Sequence, residues 1–325
     1  MKTVFRAIAA LTILLACAGG ALAQNWPNRP IRMIVPYTPG GYTDLMARLV
    51  GQKISDALGQ PIIFENKPGA NAIIGTDVVA KAAPDGYTFG TVIAAHAVNA
   101  TLNPKLPYDT LKDFSYVSLM SVAPLIMIAH PSLPANNVQE LIALAKAKPG
   151  ELNFASSGVG AAAHLTMEMF KSRTGIDMLH ISYKGTAGAL QDVIGGRIDY
   201  FCTLSGTIKP QIESNLVNAV AVLTRERSPL LPTVASAAEQ GLPDFEASTW
   251  FGLFVPKGTP APVIQKLHDA TVAAMDTPAV QERLSQAGAT AVAPERRSAA
   301  YFQQFVGSEI EKNAKPIKAA GIALE

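Results

Sequence analysis

The segment Ile31–Leu58 limits the fold of this chain more than any other. Ile31, Met33, Ile34 and Val35 make a short, β-branched apolar run that reads as a buried strand. Pro36, Pro39, Gly40 and Gly41 end it sharply, and a helix is predicted beyond, with Thr43 or Asp44 as its cap. Met46, Val50, Ile54 and Leu58 then fall on one helical face. A strand, a glycine turn and an amphipathic helix make the first half of a βα unit. Gly40 and Gly41 remove side chains where the backbone turns and leave room for something to approach. Free N–H groups at the helix start, with the dipole behind them, favour an anion such as a carboxylate. A tight turn with no ligand is the alternative, because every βα unit needs some such turn.

The first 23 residues carry Lys2 and Arg6, an apolar run from Ala7 to Ala18, and the small-residue end Ala21-Leu22-Ala23. A charged start, a short apolar core and an A-x-A site predict a secretory signal peptide cleaved after Ala23, and so a periplasmic location. Leu14-Leu15-Ala16-Cys17 offers a lipoprotein signal as the competing reading. The apolar run is too short to span a bilayer.

Removing Lys2 and Arg6 takes the formal net charge from +2 to 0. A neutral chain without Lys/Arg runs lacks the basic stripe that a nucleic-acid partner needs. Cys202 is then the one remaining cysteine, so no intramolecular disulfide is expected, and its apolar surroundings suit a small buried hydrophobe.

Strands and helices alternate along the chain. Strands are predicted at Ile62–Glu65, Tyr87–Ile93, Leu152–Ala155, Leu179–Tyr183, Ile198–Thr203, Val217–Leu223 and Phe251–Val255. Helices are predicted at 73–83, 138–147, 161–174, 187–194, 207–214, 260–275, 278–287 and 295–319. Asn99–Asp113 reads as a polar, Pro-rich passage, and the apolar run 116–129 is long enough to cross between domains. This alternation implies two α/β units with parallel or mixed sheets.

Two later junctions repeat the chemistry of the first. Asn153–His164 is again strand, Gly/Ser turn and helix start, with Ser156 and Ser157 as hydroxyl donors and Gly158 leaving the amides unshielded. His164, one turn into that helix, either faces a ligand or packs. Tyr183-Lys184-Gly185-Thr186 joins a phenol, an ammonium and a hydroxyl. Lys184 either neutralises a carboxylate or is a solvated surface charge. Gly158-x-Gly160-x-x-Ala163 formally matches a dinucleotide fingerprint, but the next strand ends in Lys184-Gly185 where an acid should hold the ribose.

Catalytic constellations are scarce. There is no G-x-S-x-G elbow, the five histidines have no metal-ligand spacing, and no paired carboxylates stand out. Neither a catalytic residue, a metal nor a cofactor is expected. The chemistry on display is binding chemistry.

Ile31–Asp44, Glu65-Asn-Lys-Pro-Gly69 with Ile74-Gly75, and Ala83–Thr88 resemble the solute-binding receptors of tripartite tricarboxylate transporters, the Bug receptors. Further matches follow in order at Ser156-Ser-Gly158, His164-Leu165, Tyr183-Lys-Gly185, Gly195-Gly196, Pro232-Thr233, Glu239-x-Gly241 and Trp250-x-Gly-Leu253. The resemblance implies an α/β fold of the type II periplasmic binding protein kind, with two lobes around a ligand cleft and two hinge crossings, near 123–125 and 248–251. It implies a discontinuous first lobe (24–124 and 251–325) and a second lobe over 125–250.

It further implies that a carboxylate is held between turns of both lobes, largely by backbone amides. Carried over, the first-lobe contacts are Thr38, Pro39, Gly40, Gly41, Tyr42, Thr43 and Asp44, with Ala94 and His96 after the third strand. The second-lobe contacts are Ser156, Ser157, Gly158, Ala161, His164, Tyr183, Lys184, Gly185, Thr186 and Thr203. The implied role is a receptor that delivers a small carboxylate to membrane permease subunits, without chemistry on it; a monomer is the default expectation. A ligand sensor docking a signalling partner, and a secreted hydrolase using Ser157 and His164, are the competing readings.

Overall fold

A computed structural model describes residues 26–183 and 185–319. The predicted leader, its cleavage site after Ala23, and Lys184 lie outside the described residues. Ten strands form one sheet, in the order β2-β1-β3-β9-β4-β7-β5-β6, with β8 and β10 paired to β4 off that path.

The first half begins with β1 (Ile31–Val35), α1 (Tyr42–Leu58), β2 (Ile62–Asn66), α2 (Ile73–Ala80), β3 (Thr88–Ile93) and α3 (Ala95–Leu102). Strand β1 pairs in parallel with both β2 and β3. Ile31, Met33 and Val35 point into one core with Met46, Val50 and Ile54 of α1, while Ile34 points into the core on the other face. That alternation is why five residues suffice: each full burial is worth about 1.5–3 kcal/mol, and the strand has a core on both sides. Helix α3 replaces the start of the predicted polar passage. Its Ala95, Ala97 and Val98 are buried and give little periodic signal over only eight residues.

Strand β4 (Phe114–Ala129) spans both halves. Residues 114–124 pair antiparallel with β9 (Ser248–Pro256), and Leu125–Ala129 pair with β7 (Tyr200–Leu204). Pro124 sits at the changeover, where a residue without an N–H donor costs the ladder least. The main-chain bonds Leu125 N–H to Ala247 O, Ala247 N–H to Leu223 O and Leu223 N–H to Leu125 O tie the crossing strands together.

The second half holds α4 (Val138–Ala147), β5 (Asn153–Ser156), α5 (Ala162–Thr174), β6 (Leu179–Ser182), α6 (Thr186–Ile194), β7, α7 (Ser205–Glu213) and β8 (Asn218–Val222). One core runs through it from Leu125 to Phe245. Residues 223–247 carry no regular element beyond a bridge from Val222 to Ser236. The chain then returns through β9 to the first half, with α8 (Ala261–Met275), α9 (Pro278–Gln286), β10 (Thr290–Ala291) and α10 (Ala299–Ala319). Strands β5 and β6, and β5 and β7, run parallel, so the second half repeats the arrangement of β1, β2 and β3.

Candidate functional site: a cleft between strand ends

In a parallel sheet, the ends of neighbouring strands deliver their loops to one edge. The register Ser156 to Ser182, and Phe154 to Tyr200, brings together the junctions that follow β5, β6 and β7. The Tyr183 N–H donates to Ser156 O at 3.0 Å, locking the first two side by side. In the other lobe, the junctions after β1 and β2 are joined through Asn66, whose Nδ2 donates to Tyr37 O at 3.0 Å. The two sets of loops face one another. A Cβ added to Gly160 would lie 2.3 Å from Leu102 Cδ1 and 3.2 Å from Asn71 Nδ2. A Cβ on Gly206 would meet the Ala287 carbonyl carbon at 2.2 Å. Between them lies a cleft of about 340 Å³.

Five of the residues expected from the sequence line this cleft: Gly40, Gly41 and Tyr42 from one lobe, Thr186 and Thr203 from the other. Gly40 has φ +83°, a left-handed conformation that a side chain disfavours. Gly41 is extended, and its nearest neighbour to an added Cβ is Thr38 O at 3.7 Å, so it keeps space rather than relieving strain. Thr38 and Pro39 are exposed on the same turn, and Thr43 is buried behind it.

The cap of α1 differs from the expectation. The N-cap is Gly41, with no side-chain cap bond. Asp44 instead reaches back from the third helical position, and its Oδ2 accepts the Gly40 N–H at 2.9 Å. Arg48 Nε and Asn66 Nδ2 complete the carboxylate's bonds at 3.1 and 2.8 Å. Burial opposes ionisation of Asp44, but Arg48, the Gly40 amide and Asn66 outweigh it and hold the carboxyl below its ordinary pKa. Asp44 is therefore the brace that shapes the turn, with its oxygens already engaged. Tyr42 turns inward, where burial raises its phenol to about 12 and the nearby Ser121 hydroxyl offsets only part of that.

His96 is corrected outright. It is 2% exposed, inside an aromatic cluster of Tyr108, Phe114, Tyr116 and Phe254. Tyr116 O–H donates to Thr110 O at 2.8 Å, so the 2.9 Å contact with His96 Nε2 requires the imidazole to donate. Its Nδ1 is buried without a partner, and burial lowers its pKa to about 3. His96 is a neutral core residue. Ala94, also buried, is the N-cap of α3.

The second-lobe turn is braced internally as well. Ser156 is fully buried; its hydroxyl donates to Gly158 O at 2.9 Å and lies 2.7 Å from His180 Nε2. With its one proton committed to Gly158, Ser156 accepts from His180. His164 Nδ1 accepts the Gly160 N–H at 3.1 Å, and its ring stacks on His180. Burial, with smaller contributions from His180 and Lys171, lowers His164 to about 3. Neither histidine is placed as a base. Ser157, Gly158 and Ala161 are partly exposed on the turn, and Ala161 is the N-cap of α5. Tyr183 donates to Asp192 Oδ2 at 2.6 Å, which turns its hydroxyl away from ligand duty; Gly185 is the N-cap of α6.

Sequence reasoning missed Asn71, Asn99, Arg48, Thr207 and Arg283. Ala70, Asn71 and Ala72 all have positive φ, of 47°, 49° and 73°, in the junction that meets Gly160. Such strain persists only where surroundings impose it. Here Asn71 Nδ2 donates to Asn99 Oδ1 at 2.9 Å, and Asn99 Nδ2 to Asn71 O at 2.8 Å. Thr207 and Arg283 line the cleft directly. A shallower groove of about 540 Å³ is lined wholly by second-lobe residues, among them Asn136, Ala219 and Thr233. It gathers none of the strand-end turns.

Residues 46–322 match the family model described as tripartite tricarboxylate transporter family receptor. The chain is 38% identical to protein BugT of Bordetella pertussis over 98% of its length and 99% of the relative's. Among solved structures, it is similar to the periplasmic binding protein BugD, with a TM-score of 0.83 at 34% identity, covering 92% of this chain and all of that one. It is similar to MatC of Rhodopseudomonas palustris with bound malate, with a TM-score of 0.82 at 33% identity, covering 90% and 100%. BugD is a periplasmic binding protein and the family model is that of a receptor; this chain is likewise a binding protein and not an enzyme, which retires the hydrolase reading. The ordered motifs, the two lobes and these likenesses agree: the chain belongs to the tripartite tricarboxylate transporter receptor family, the Bug proteins.

Proposed function

We propose that this protein captures a small carboxylate between its lobes in the periplasm and presents it to the membrane subunits of a tripartite transporter. One observation carries the reading: the Gly40-Gly41 turn, at the start of α1, lines one cleft together with Thr186 and Thr203 of the second lobe. A carboxylate seated on the first-turn amides of α1 gains their hydrogen bonds and about 0.3–1 kcal/mol from the helix dipole. Closure brings the hydroxyls of the second lobe onto a ligand already held by the first. The malate bound by MatC supports the ligand class, and the family supports the transporter partner. Because Asp44 is neutralised by Arg48, its charge does not expel an anion from the turn.

Thermal melting of ligand-stripped protein against a carboxylate panel tests this. A ligand at a hundred times its Kd adds about 2.7 kcal/mol, a shift of several degrees. The shift should be selective and should vanish in Gly41→Trp, whose own melt stays near wild type because Gly41 meets no close neighbour. No shift with any carboxylate, from folded and verified empty protein, would reject the reading.

A further inference from the structure

Arg283 occupies a place in the cleft that the turn chemistry alone does not call for. It lies in the last turn of α9, one helical turn before Ala287. Ala287 is pressed against Gly206 of the second lobe, closely enough that a Cβ there would overlap its backbone. That contact fixes the end of α9 against α7, and the i, i+4 relation puts Arg283 on the same side. Gln286 Oε1 accepts from Arg283 Nη1 at 2.9 Å, and Gln286 Nε2 donates to Glu282 Oε1 at 3.2 Å. The guanidinium is thus tethered at one nitrogen. It makes no ion pair among the described residues, and it is the one formal charge among the residues lining the cleft.

A ligand with a single carboxylate is satisfied by the amides at the start of α1. A second carboxylate on the same ligand would otherwise lie against neutral groups, namely Thr203, Thr207, Leu45 and Met46. Shedding its hydration there costs more than neutral donors return, unless a cation meets it. Resting on the receptor reading above, we propose that Arg283 binds the distal carboxylate, with Gln286 positioning it, and that this protein selects dicarboxylates over monocarboxylates. The planar fork of arginine suits a carboxylate in two-point contact, which a lysine could not reproduce.

The test is isothermal titration of the purified protein and of Arg283→Gln. The ligands are straight-chain dicarboxylates of four to eight carbons and the monocarboxylates of the same lengths. Wild type should prefer a dicarboxylate by about tenfold or more. Arg283→Gln should lose about ten- to hundredfold on that ligand and nothing on its monocarboxylate partner, with Arg283→Lys between the two. Arg283 is exposed, so the variants should melt with wild type. If Arg283→Gln keeps wild-type affinity for the dicarboxylate, or loses both ligands in proportion, the role of Arg283 falls while the receptor reading stands. A wild-type protein that prefers monocarboxylates also removes the proposal alone. One that binds neither series removes the proposal, and the receptor reading falls with it only if the wider carboxylate panel also gives no melting shift.

Discussion

His164 and His180 lie face to face at the base of the second-lobe turn, ring centroids 3.8 Å apart and planes within 9°. Two stacked imidazoles this close cannot both carry charge cheaply, and each also holds the turn by a bond that fixes its tautomer. His164 Nδ1 must stay unprotonated to accept the Gly160 N–H.

Acid should therefore loosen this protein from well above the carboxylate range. Burial lowers His96 and His164 to about 3 and His180 to about 4. Unfolded, each returns to about 6.5. Between these values the unfolded chain binds more protons, so stability rises with pH, is fully present above about 6.5, and is lost progressively on acidification toward 3–4. For fully buried His96 the loss from pH 7 to pH 5 is about 2 kcal/mol. Melting across pH 5–7.5 should show the slope. His180→Gln, which can still offer an N–H to Ser156, should flatten it; an unchanged slope would mean that His180 is not held neutral by the fold.

Asp44→Asn should cost about 1–3 kcal/mol, because it removes the charge that Arg48 pairs with and unsettles the bond to the Gly40 N–H. The melting temperature should fall, and ligand affinity should fall with it because the turn loses its shape. Wild-type affinity in a destabilised Asp44→Asn protein would show that the turn keeps its geometry without the brace. The same carboxyl titrates below its ordinary value, so its contribution is present above about pH 4 and lost as pH falls further.

The β1–α1 unit was legible because its information is local: a short apolar run buried on both faces, a Pro/Gly stop, then period-3.6 burial within 28 residues. His96 was not, because its burial is set by Tyr108, Phe114 and Phe254, partners brought together only by the sheet. Residues 223–247 escaped for a related reason. Their path is pinned by single bonds from distant groups, such as Val138 N–H to Gln240 Oε1 at 2.7 Å, which leave no periodic trace. Ser156 and Asp44 lie at the expected turns, where their side chains bond to the loop itself. A polar residue at a glycine turn can serve the ligand or the loop, and only geometry separates the two. Arg283 was invisible because its place in the cleft depends on Ala287 meeting Gly206 across the chain.

The two lobes also meet through a small apolar contact. Val98 and Leu102 of α3 and Ile317 of α10 enclose Leu165 of α5, all four at 4% exposure or less. Leu165 is the one member from the second lobe, so opening the cleft exposes it while leaving each lobe's own core intact. Leu165→Ala should therefore act on the balance between open and closed states more than on folding. Burying such a leucine against a full set of neighbours is worth about 2–5 kcal/mol by truncation, and whatever part belongs to the closed state alone is lost from ligand binding. We expect ligand affinity to fall by about tenfold or more, with a larger radius of gyration in solution scattering of the unliganded protein. The melting temperature of the empty protein should move less than for truncation of Phe154, which is fully buried in the second-lobe core. Unchanged affinity and unchanged scattering in Leu165→Ala would show that this contact does not distinguish the two states.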